Sequence, residues 1–215
     1  MTNSASIARM GLRAVLGLGF LSAFSTPTLA ADGPFGIDHR LNEDNHGIWA
    51  RHNQLVLQDG VVAFAIAGAL WEGDDARLGH TLWQSVDSIA IGALSAEGLK
   101  YAFSRSRPTQ TDDPSRWFQG AGHKSFPSGE VMAITTAVTP IVLEYANEHP
   151  TIWALELLPA YDAVARVKVR AHWQSDVLAS FLIGTAIGAY AHSRTSSIWV
   201  GVLPRGLTVG WSKRF

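Results

Sequence analysis

Apolar residues recur along the chain in long stretches with helical spacing, and short polar segments separate these stretches. The separating segments are rich in acidic residues, glycine and proline, which is typical of turns between helices. Pro159 lies inside the fourth stretch and should kink or split it. The pattern predicts five helices, over Leu55 to Trp71, Thr81 to Ser104, Gly129 to Asn147, Ile152 to Val169 and Ser175 to His192.

The two ends of the chain differ from this pattern. Residues 32–51 are polar without a clear period, so we expect a surface arm. From Ile198 to Phe215 apolar and polar residues alternate around Pro204-Arg205-Gly206, which predicts a short β-hairpin over residues 197–215. The predicted fold class is therefore all-α: a helical bundle of about five to six helices with a short C-terminal β-hairpin.

Residues 1–30 have the features of a secretory signal peptide. Arg9 and Arg13 precede an apolar run from Ala14 to Phe24, and Thr28-Leu29-Ala30 offers a cleavage site with small residues. We therefore expect cleavage and export, to the periplasm if the cell is Gram-negative. Residues 31–215 would then form a single helical domain.

Composition narrows the classes of function. The chain holds 17 Lys and Arg residues against 18 Asp and Glu, and two of the arginines belong to the expected signal peptide. The remaining domain is thus acidic, so nucleic acid is not an expected partner. A membrane span needs about 20 mostly apolar residues. Polar or charged residues interrupt every predicted helix, which favours a soluble bundle and leaves a membrane-associated one as the alternative.

Two clusters of residues are suited to binding a phosphate. Lys100 and Arg107 share a helix face if the helix continues between them, and Pro108 should place Arg107 at the helix end. An ammonium and a guanidinium together suit phosphate oxygens. Ser128 occupies the N-cap position of the third helix, and Gly129 lets an anion approach its free amides. The alternatives are a solvated basic helix end and an ordinary N-cap.

A third cluster contains a histidine and an aspartate. His172 and Asp176 are spaced i, i+4, so the carboxylate could accept a hydrogen bond from one imidazole nitrogen. The other nitrogen would then be free to attack or to take a proton. Arg166 adds a positive charge upstream. The alternative is a surface His–Asp pair that caps a helix.

The order and spacing of these clusters resemble the motifs of the type 2 phosphatidic acid phosphatase superfamily. This superfamily includes bacterial class A acid phosphatases and vanadium haloperoxidases. Its first motif, Lys, six residues and Arg-Pro, matches Lys100 with Arg107-Pro108. Its second, Pro-Ser-Gly-His, matches Pro127 to Glu130 with Glu in place of His. Its third, Ser-Arg, five residues, His, three residues and Asp, matches Ala165 to Asp176 with Ala in place of Ser.

The resemblance implies a function and assigns roles. His172 would be a nucleophile that forms a phosphohistidine, and Asp176 would orient it. The phosphate would be held by Lys100, Arg107, Ser128, Gly129 and Arg166. The expected protein is an exported phosphatase without metal or other cofactor. Its partner would be a phosphomonoester or diphosphate substrate, and lipid-linked substrates are included. The protein itself could contact a membrane peripherally. The alternatives are a non-catalytic binder of phosphate or phospholipid and, less favoured, a vanadate-dependent peroxidase.

Glu130 stands where the family has the histidine that protonates the leaving oxygen. A protonated Glu can also donate a proton, but the neighbouring cations favour its ionised form at neutral pH. Three alternatives follow. Glu130 is an acid with a low pH optimum, His123 in the same loop replaces it, or protonation is lost. In the last case the protein handles only good leaving groups or binds without turnover.

The loop from Arg107 to Pro127 is long for a compact domain, and such loops are often functional. Its residues Trp117 and Phe118 lie close in sequence to the predicted phosphate site. They could contact an acyl or prenyl chain. The alternative is that these aromatic side chains pin the loop to the domain.

Overall fold

A computed structural model describes residues 33–194, 198–203 and 206–211. The expected signal peptide lies outside the described residues. Within these residues the predicted helical fold is confirmed, with five α-helices and three short 3₁₀ segments. The 3₁₀ segments are Pro34–Gly36, Gly47–Trp49 and Pro150–Glu156, and the helices are α1 (Arg51–Glu72), α2 (Arg77–Phe103), α3 (Gly129–Tyr145), α4 (Leu157–Lys168) and α5 (Gln174–His192).

Two strands follow the last helix, β1 (Ile198–Leu203) and β2 (Gly206–Trp211). They pair in antiparallel orientation, with Ile198 opposite Trp211 and Leu203 opposite Gly206. Residues 197, 204–205 and 212–215 of the predicted hairpin lie outside the described residues. The hairpin as a unit packed on the domain therefore stays a prediction.

Helix α3 is the centre of the bundle and packs against each of the other four helices. It packs closely against α5, because two glycines of α5 face two threonines of α3. A Cβ atom added to Gly188 would lie 2.6 Å from Cβ of Thr139, and one added to Gly184 would lie 2.9 Å from Cβ of Thr135. The absence of side chains at these two positions allows the helices to approach this closely.

Two prolines fall within helical segments, and the fold accommodates each. Pro140 lies inside α3 and has no N–H group for the carbonyl of Thr136. The hydroxyl of Ser88 on α2 donates to that carbonyl at 2.6 Å instead. Pro159 lies in the first turn of α4, where its missing N–H group costs little. The predicted split of this segment occurs just before it, where the 3₁₀ segment ends at Glu156.

Helix ends gather at one side of the bundle. Helix α2 ends at Phe103, where the following Ser104 is left-handed with φ of 39°. Lys100 therefore lies in the last turn of α2, whereas Arg107 lies in the loop, so the two residues do not share a helix face. The N-terminus of α3, the C-terminus of α4 and the N-terminus of α5 carry the other predicted site residues.

The N-terminal arm is docked rather than simply lying on the surface. Asp38 is buried. The backbone N–H of His39 donates to the side chain of Gln174 at 3.1 Å, and the N–H of Asp44 donates to the carbonyl of Lys168 at 3.0 Å. The arm lies mostly on the surface, as predicted, and Asp38 and these hydrogen bonds attach it to the bundle. A polar, aperiodic sequence gives no sign of such docking, because the contacts are isolated hydrogen bonds from single residues.

Helix α1 differs from the other helices in its outer face. Among the described residues it is the one helix that is long and apolar enough to cross a bilayer, by length and composition. Most of it is uncovered, and Phe64, Leu70 and Trp71 are exposed. Leu94 of α2 and Leu182 of α5 are exposed as well. Exposed apolar side chains thus lie on the outer surfaces of α1, α2 and α5.

The α3–α5 contact generates a stability prediction. We expect Gly188→Ala to lower the free energy of unfolding by about 1–3 kcal/mol, because the added methyl group overpacks the contact with Thr139. The matched control is Gly98→Ala in α2, where an added Cβ meets nothing within 4 Å. That change should raise stability by about 0.4–1 kcal/mol. Urea unfolding measures both, and equal effects of the two substitutions would contradict the close helix approach.

Candidate active site

Lys100 and the N-terminus of α3 form one part of the candidate site. A Cβ atom added to Gly129 would lie 2.9 Å from Nζ of Lys100, so the ammonium lies directly against this helix end. Lys100 also donates to Glu97 at 2.7 Å, which holds the ammonium in place. The positive charge and the free amides of the first turn favour an anion at the same point.

Ser128 is the N-cap residue of α3, as predicted, but its side chain does not cap the helix. Its backbone N–H donates to the hydroxyl of Ser180 at 2.7 Å. Its own hydroxyl is buried and has no hydrogen-bond partner among the described residues. Buried polar groups are nearly always hydrogen-bonded, so this hydroxyl is suited to a bound ligand.

Arg166 and Arg107 supply two further cations. Arg166 is buried at the end of α4, and its Nε has no partner in the part of the chain that the structure describes. Burial lowers the pKa of Arg166 to about 10, against the opposing charge of Glu130, so it is protonated at neutral pH. Arg107 in the loop donates to the carbonyl of Lys124 at 3.4 Å.

His172 lies in the loop between α4 and α5 and is almost fully buried. Its Nδ1 lies 2.6 Å from the carbonyl oxygen of Ser125. Because a carbonyl only accepts, Nδ1 carries the proton, and the lone pair of the neutral ring is on Nε2. Burial and the charges of nearby cations lower the pKa of His172 well below its usual range. In order of strength these cations are Arg166, Arg107 and Lys100.

Asp176 does not bind His172 in the predicted way. The distance from Nδ1 of His172 to the nearer carboxylate oxygen of Asp176 is 3.9 Å, which is too long for a hydrogen bond. His172 precedes α5, so the helical i, i+4 geometry does not apply. Asp176 instead accepts bonds from the hydroxyl of Ser125 at 2.5 Å and from the N–H of Trp173 at 3.0 Å. It thus fixes the segment whose carbonyl orients His172, and it also caps α5.

Arg105 and Asp38 complete the support behind His172. The guanidinium of Arg105 is fully buried and pairs with Asp38 and Asp176. Asp38 also accepts bonds from the N–H and hydroxyl groups of Ser175 at 2.7 and 2.6 Å. Burial raises the pKa of Asp176, and the charge of Arg105 opposes that effect. The sequence motifs assign no role to Arg105 or to Asp38.

Glu130 is held by two guanidinium groups. Arg51, the first residue of α1, donates to both of its carboxylate oxygens, and the Nη2 contact measures 2.9 Å. Arg166 approaches the same carboxylate to 3.4 Å. The amide oxygen of the buried Gln54 accepts from Arg51 at 3.2 Å and from Arg166 at 3.0 Å. The sequence motifs assign no role to Arg51 or Gln54 either.

Asp162 lies one turn before Arg166 on α4 and is fully buried. Neither of its carboxylate oxygens has a hydrogen-bond partner among the described residues. Burial, and then the charge of Glu130, raise the pKa of Asp162 to about 7, against the charges of Arg166 and Arg51. At neutral pH this carboxyl group is therefore only partly ionised, and it adds less than a full negative charge to the site.

The remaining predicted residues lie in the long loop. His123 contacts the hydroxyl of Ser106 at 2.9 Å through Nδ1, and within the described part of the chain it forms no hydrogen bond or ion pair with Glu130 or His172. Trp117 packs against Phe103 and Phe126, with ring centroids 5.9 and 5.3 Å apart. This favours the loop-pinning role for Trp117, whereas Phe118 is exposed.

The sequence carries a signal for one of the unassigned residues. Arg105 lies between Lys100 and Arg107 in the first motif. A third basic residue within this motif indicates a candidate for the site. Asp38 and Arg51 lie far from every motif and give no such signal. Across the described residues, no group of three or more His, Asp or Glu side chains is placed to hold a metal ion.

Comparison with known proteins identifies the family. The PAP2 superfamily matches residues 81–198, which is more than half of the chain. The chain therefore belongs to the PAP2 superfamily, which comprises phosphatases. An undecaprenyl-diphosphatase of Sulfolobus acidocaldarius is 28% identical over 113 residues, which are 52% of this chain and 52% of that protein. The chain thus spans about half the length of this curated relative. No solved structure matches the chain.

Proposed function

We propose that this protein is an exported, metal-independent phosphatase that acts on phosphomonoesters or diphosphates through a phosphohistidine on His172. The observation that carries the proposal is a buried, neutral imidazole whose Nδ1 is bound to a carbonyl while three cations act on the ring. A neutral ring has a lone pair for attack, and the cations can stabilise the transferred phosphoryl group.

The proposed reaction has two steps. The Nε2 lone pair of His172 attacks phosphorus, and the bond from phosphorus to the leaving oxygen breaks with its electron pair on that oxygen. Water then attacks the phosphohistidine and releases inorganic phosphate. The charge on the phosphoryl oxygens would be met by the amides of α3 and by Lys100, Arg107, Ser128 and Arg166. Asp176 is a positioning residue in this scheme, because it acts on His172 through Ser125.

A membrane lipid phosphate is the substrate class that we favour, and the site of action is then the periplasmic face of a membrane. The apolar outer surface with Phe64, Leu70 and Trp71 supports peripheral membrane contact, as does exposed Phe118 beside the site. The named activity of the relative, an undecaprenyl-diphosphatase, points the same way.

We expect the protein to hydrolyse a lipid phosphate at least about 10-fold faster than it hydrolyses a short soluble phosphate ester. Equal rates on the two substrates would count against a lipid substrate.

The nucleophile is tested by turnover and labelling. Purified protein in chelator should hydrolyse an aryl phosphate, and His172→Ala should lower the rate by about 10⁴-fold or more. Rapid quenching with ³²P-labelled substrate should trap acid-labile label on the unaltered protein only. Because the pKa of folded His172 lies well below its ordinary value of about 6.5, activity should survive below that pH and fall only when the ring is protonated. Phosphate binding without turnover at any pH would indicate a binding protein instead.

In the proposed reaction, Glu130 lies on the side of the phosphate from which the leaving group departs. Its role as a general acid is tested separately. If Glu130 protonates the leaving oxygen, Glu130→Gln should lower alkyl phosphate hydrolysis by about 10²-fold and spare an aryl phosphate, whose leaving group needs no proton. Rates near those of the unaltered protein on both substrates would exclude Glu130 as the acid. The same pair of assays on His123→Asn tests the other candidate.

A further inference from the structure

Glu130 poses an electrostatic problem for the proposed reaction. Its carboxylate lies in the first turn of α3, next to the helix end where the phosphate would bind. A negative charge there repels an anionic substrate, and it repels an anionic leaving group even more directly. The site therefore needs a compensating cation on this side.

Arg51 is positioned to be that cation. It makes a two-pronged contact with both oxygens of Glu130, which is the geometry in which arginine binds carboxylates and phosphates best. Its backbone N–H donates to the side chain of Asn45 at 2.7 Å, which anchors the residue at the start of α1. Because both carboxylate oxygens accept guanidinium N–H groups, Glu130 must release one of them before it can carry a proton.

Gln54 joins Arg51 to the predicted phosphate site. Its buried amide oxygen accepts a hydrogen bond from Arg51 and one from Arg166, and its amide nitrogen donates to the carbonyl of Trp49 at 2.8 Å. Two guanidinium groups that repel each other are thus held side by side by one amide and one carboxylate. Arg51 is the direct neighbour of a residue that the proposed function assigns to the phosphate.

Arg51 also has the access and the free donors that a ligand requires. Its side chain is 37% exposed, whereas that of Arg166 is 6% exposed. A guanidinium has five N–H groups, and bonds to Gln54 and Glu130 use three of those of Arg51. Within the described residues, the others have no protein acceptor.

We propose that Arg51, held by Glu130 and Gln54, binds an anionic leaving group and so makes diphosphates the preferred substrate class. This inference rests on the proposed phosphatase reaction. When the bond from phosphorus to the bridging oxygen of a diphosphate breaks, the electron pair stays on that oxygen. The product is a phosphate anion, which leaves without a proton. A cation is then the group that helps departure, and a general acid is not required.

The arrangement gives a physical account of the Glu-for-His change. When an alkyl phosphate is cleaved, the leaving group is an alkoxide that needs a proton, and the resemblance assigns this task to the histidine of the family motif. A diphosphate needs charge neutralisation instead, which Arg51 supplies and Glu130 positions. Arg51 is thus a specificity-determining residue for the second phosphate.

The test compares Arg51→Gln with a matched control, Arg77→Gln. Arg77 is also the first residue of its helix and also pairs with a glutamate, Glu144, but it lies outside the site. The substrates are a short prenyl diphosphate and the prenyl monophosphate with the same chain. We expect Arg51→Gln to lower kcat/KM by about 10²-fold on the diphosphate and by less than about 3-fold on the monophosphate. Arg77→Gln should leave the ratio of the two unchanged.

Two further measurements guard against misfolding and against an inactive protein. Arg51→Lys keeps the charge but not the two-pronged contact, so it should lose less of the diphosphate preference than Arg51→Gln, whereas a merely structural role would give equal losses on both substrates. Titration calorimetry with inorganic diphosphate and with orthophosphate needs no turnover. Arg51→Gln should weaken diphosphate binding at least about 10-fold more than orthophosphate binding.

Equal weakening of the binding of both ligands, or equal losses of kcat/KM on both substrates, would overturn the role of Arg51. Absence of turnover by the unaltered protein would overturn only the proposed phosphatase reaction.

Discussion

The candidate site depends on the hydrogen bonds and ion pairs of the buried guanidinium of Arg105. All five of its N–H groups have acceptors, namely the carbonyl of Pro114, the hydroxyl of Ser175 and the carboxylates of Asp38 and Asp176. Loss of one partner from such a buried ion pair typically costs about 3–5 kcal/mol, because the remaining charge is left uncompensated. The contacts join the N-terminal arm, the long loop and α5 in one unit behind His172.

This support explains how a neutral imidazole is kept among cations. Asp176 is too far from His172 for a direct bond, and its effect passes through Ser125. The carbonyl of Ser125 fixes the tautomer without placing a negative charge on the ring. The ring therefore stays neutral beside Arg166 and Arg107, whereas a carboxylate in direct contact would favour the protonated ring.

The sequence predicted those parts of the fold and site that depend on local chemistry. The five helices follow from apolar periodicity, and Ser128 and Gly129 lie at a helix start because turn and capping residues mark it. Contacts between distant segments could not be predicted. Arg51 and Glu130 are 79 positions apart, and nothing in either segment names the other. The predicted His172–Asp176 bond was wrong because it assumed a helix that begins only at Gln174.

The buried position of Asp38 has a consequence for the order in which the protein assembles. Its partners Arg105 and Ser175 lie 67 and 137 positions later in the chain. Contacts of such separation close large loops, and their entropic cost is met only after the intervening helices have come together. The segment that leaves the ribosome early is thus completed by residues synthesised late. During synthesis, the site around His172 cannot form until nearly the whole helical bundle is available.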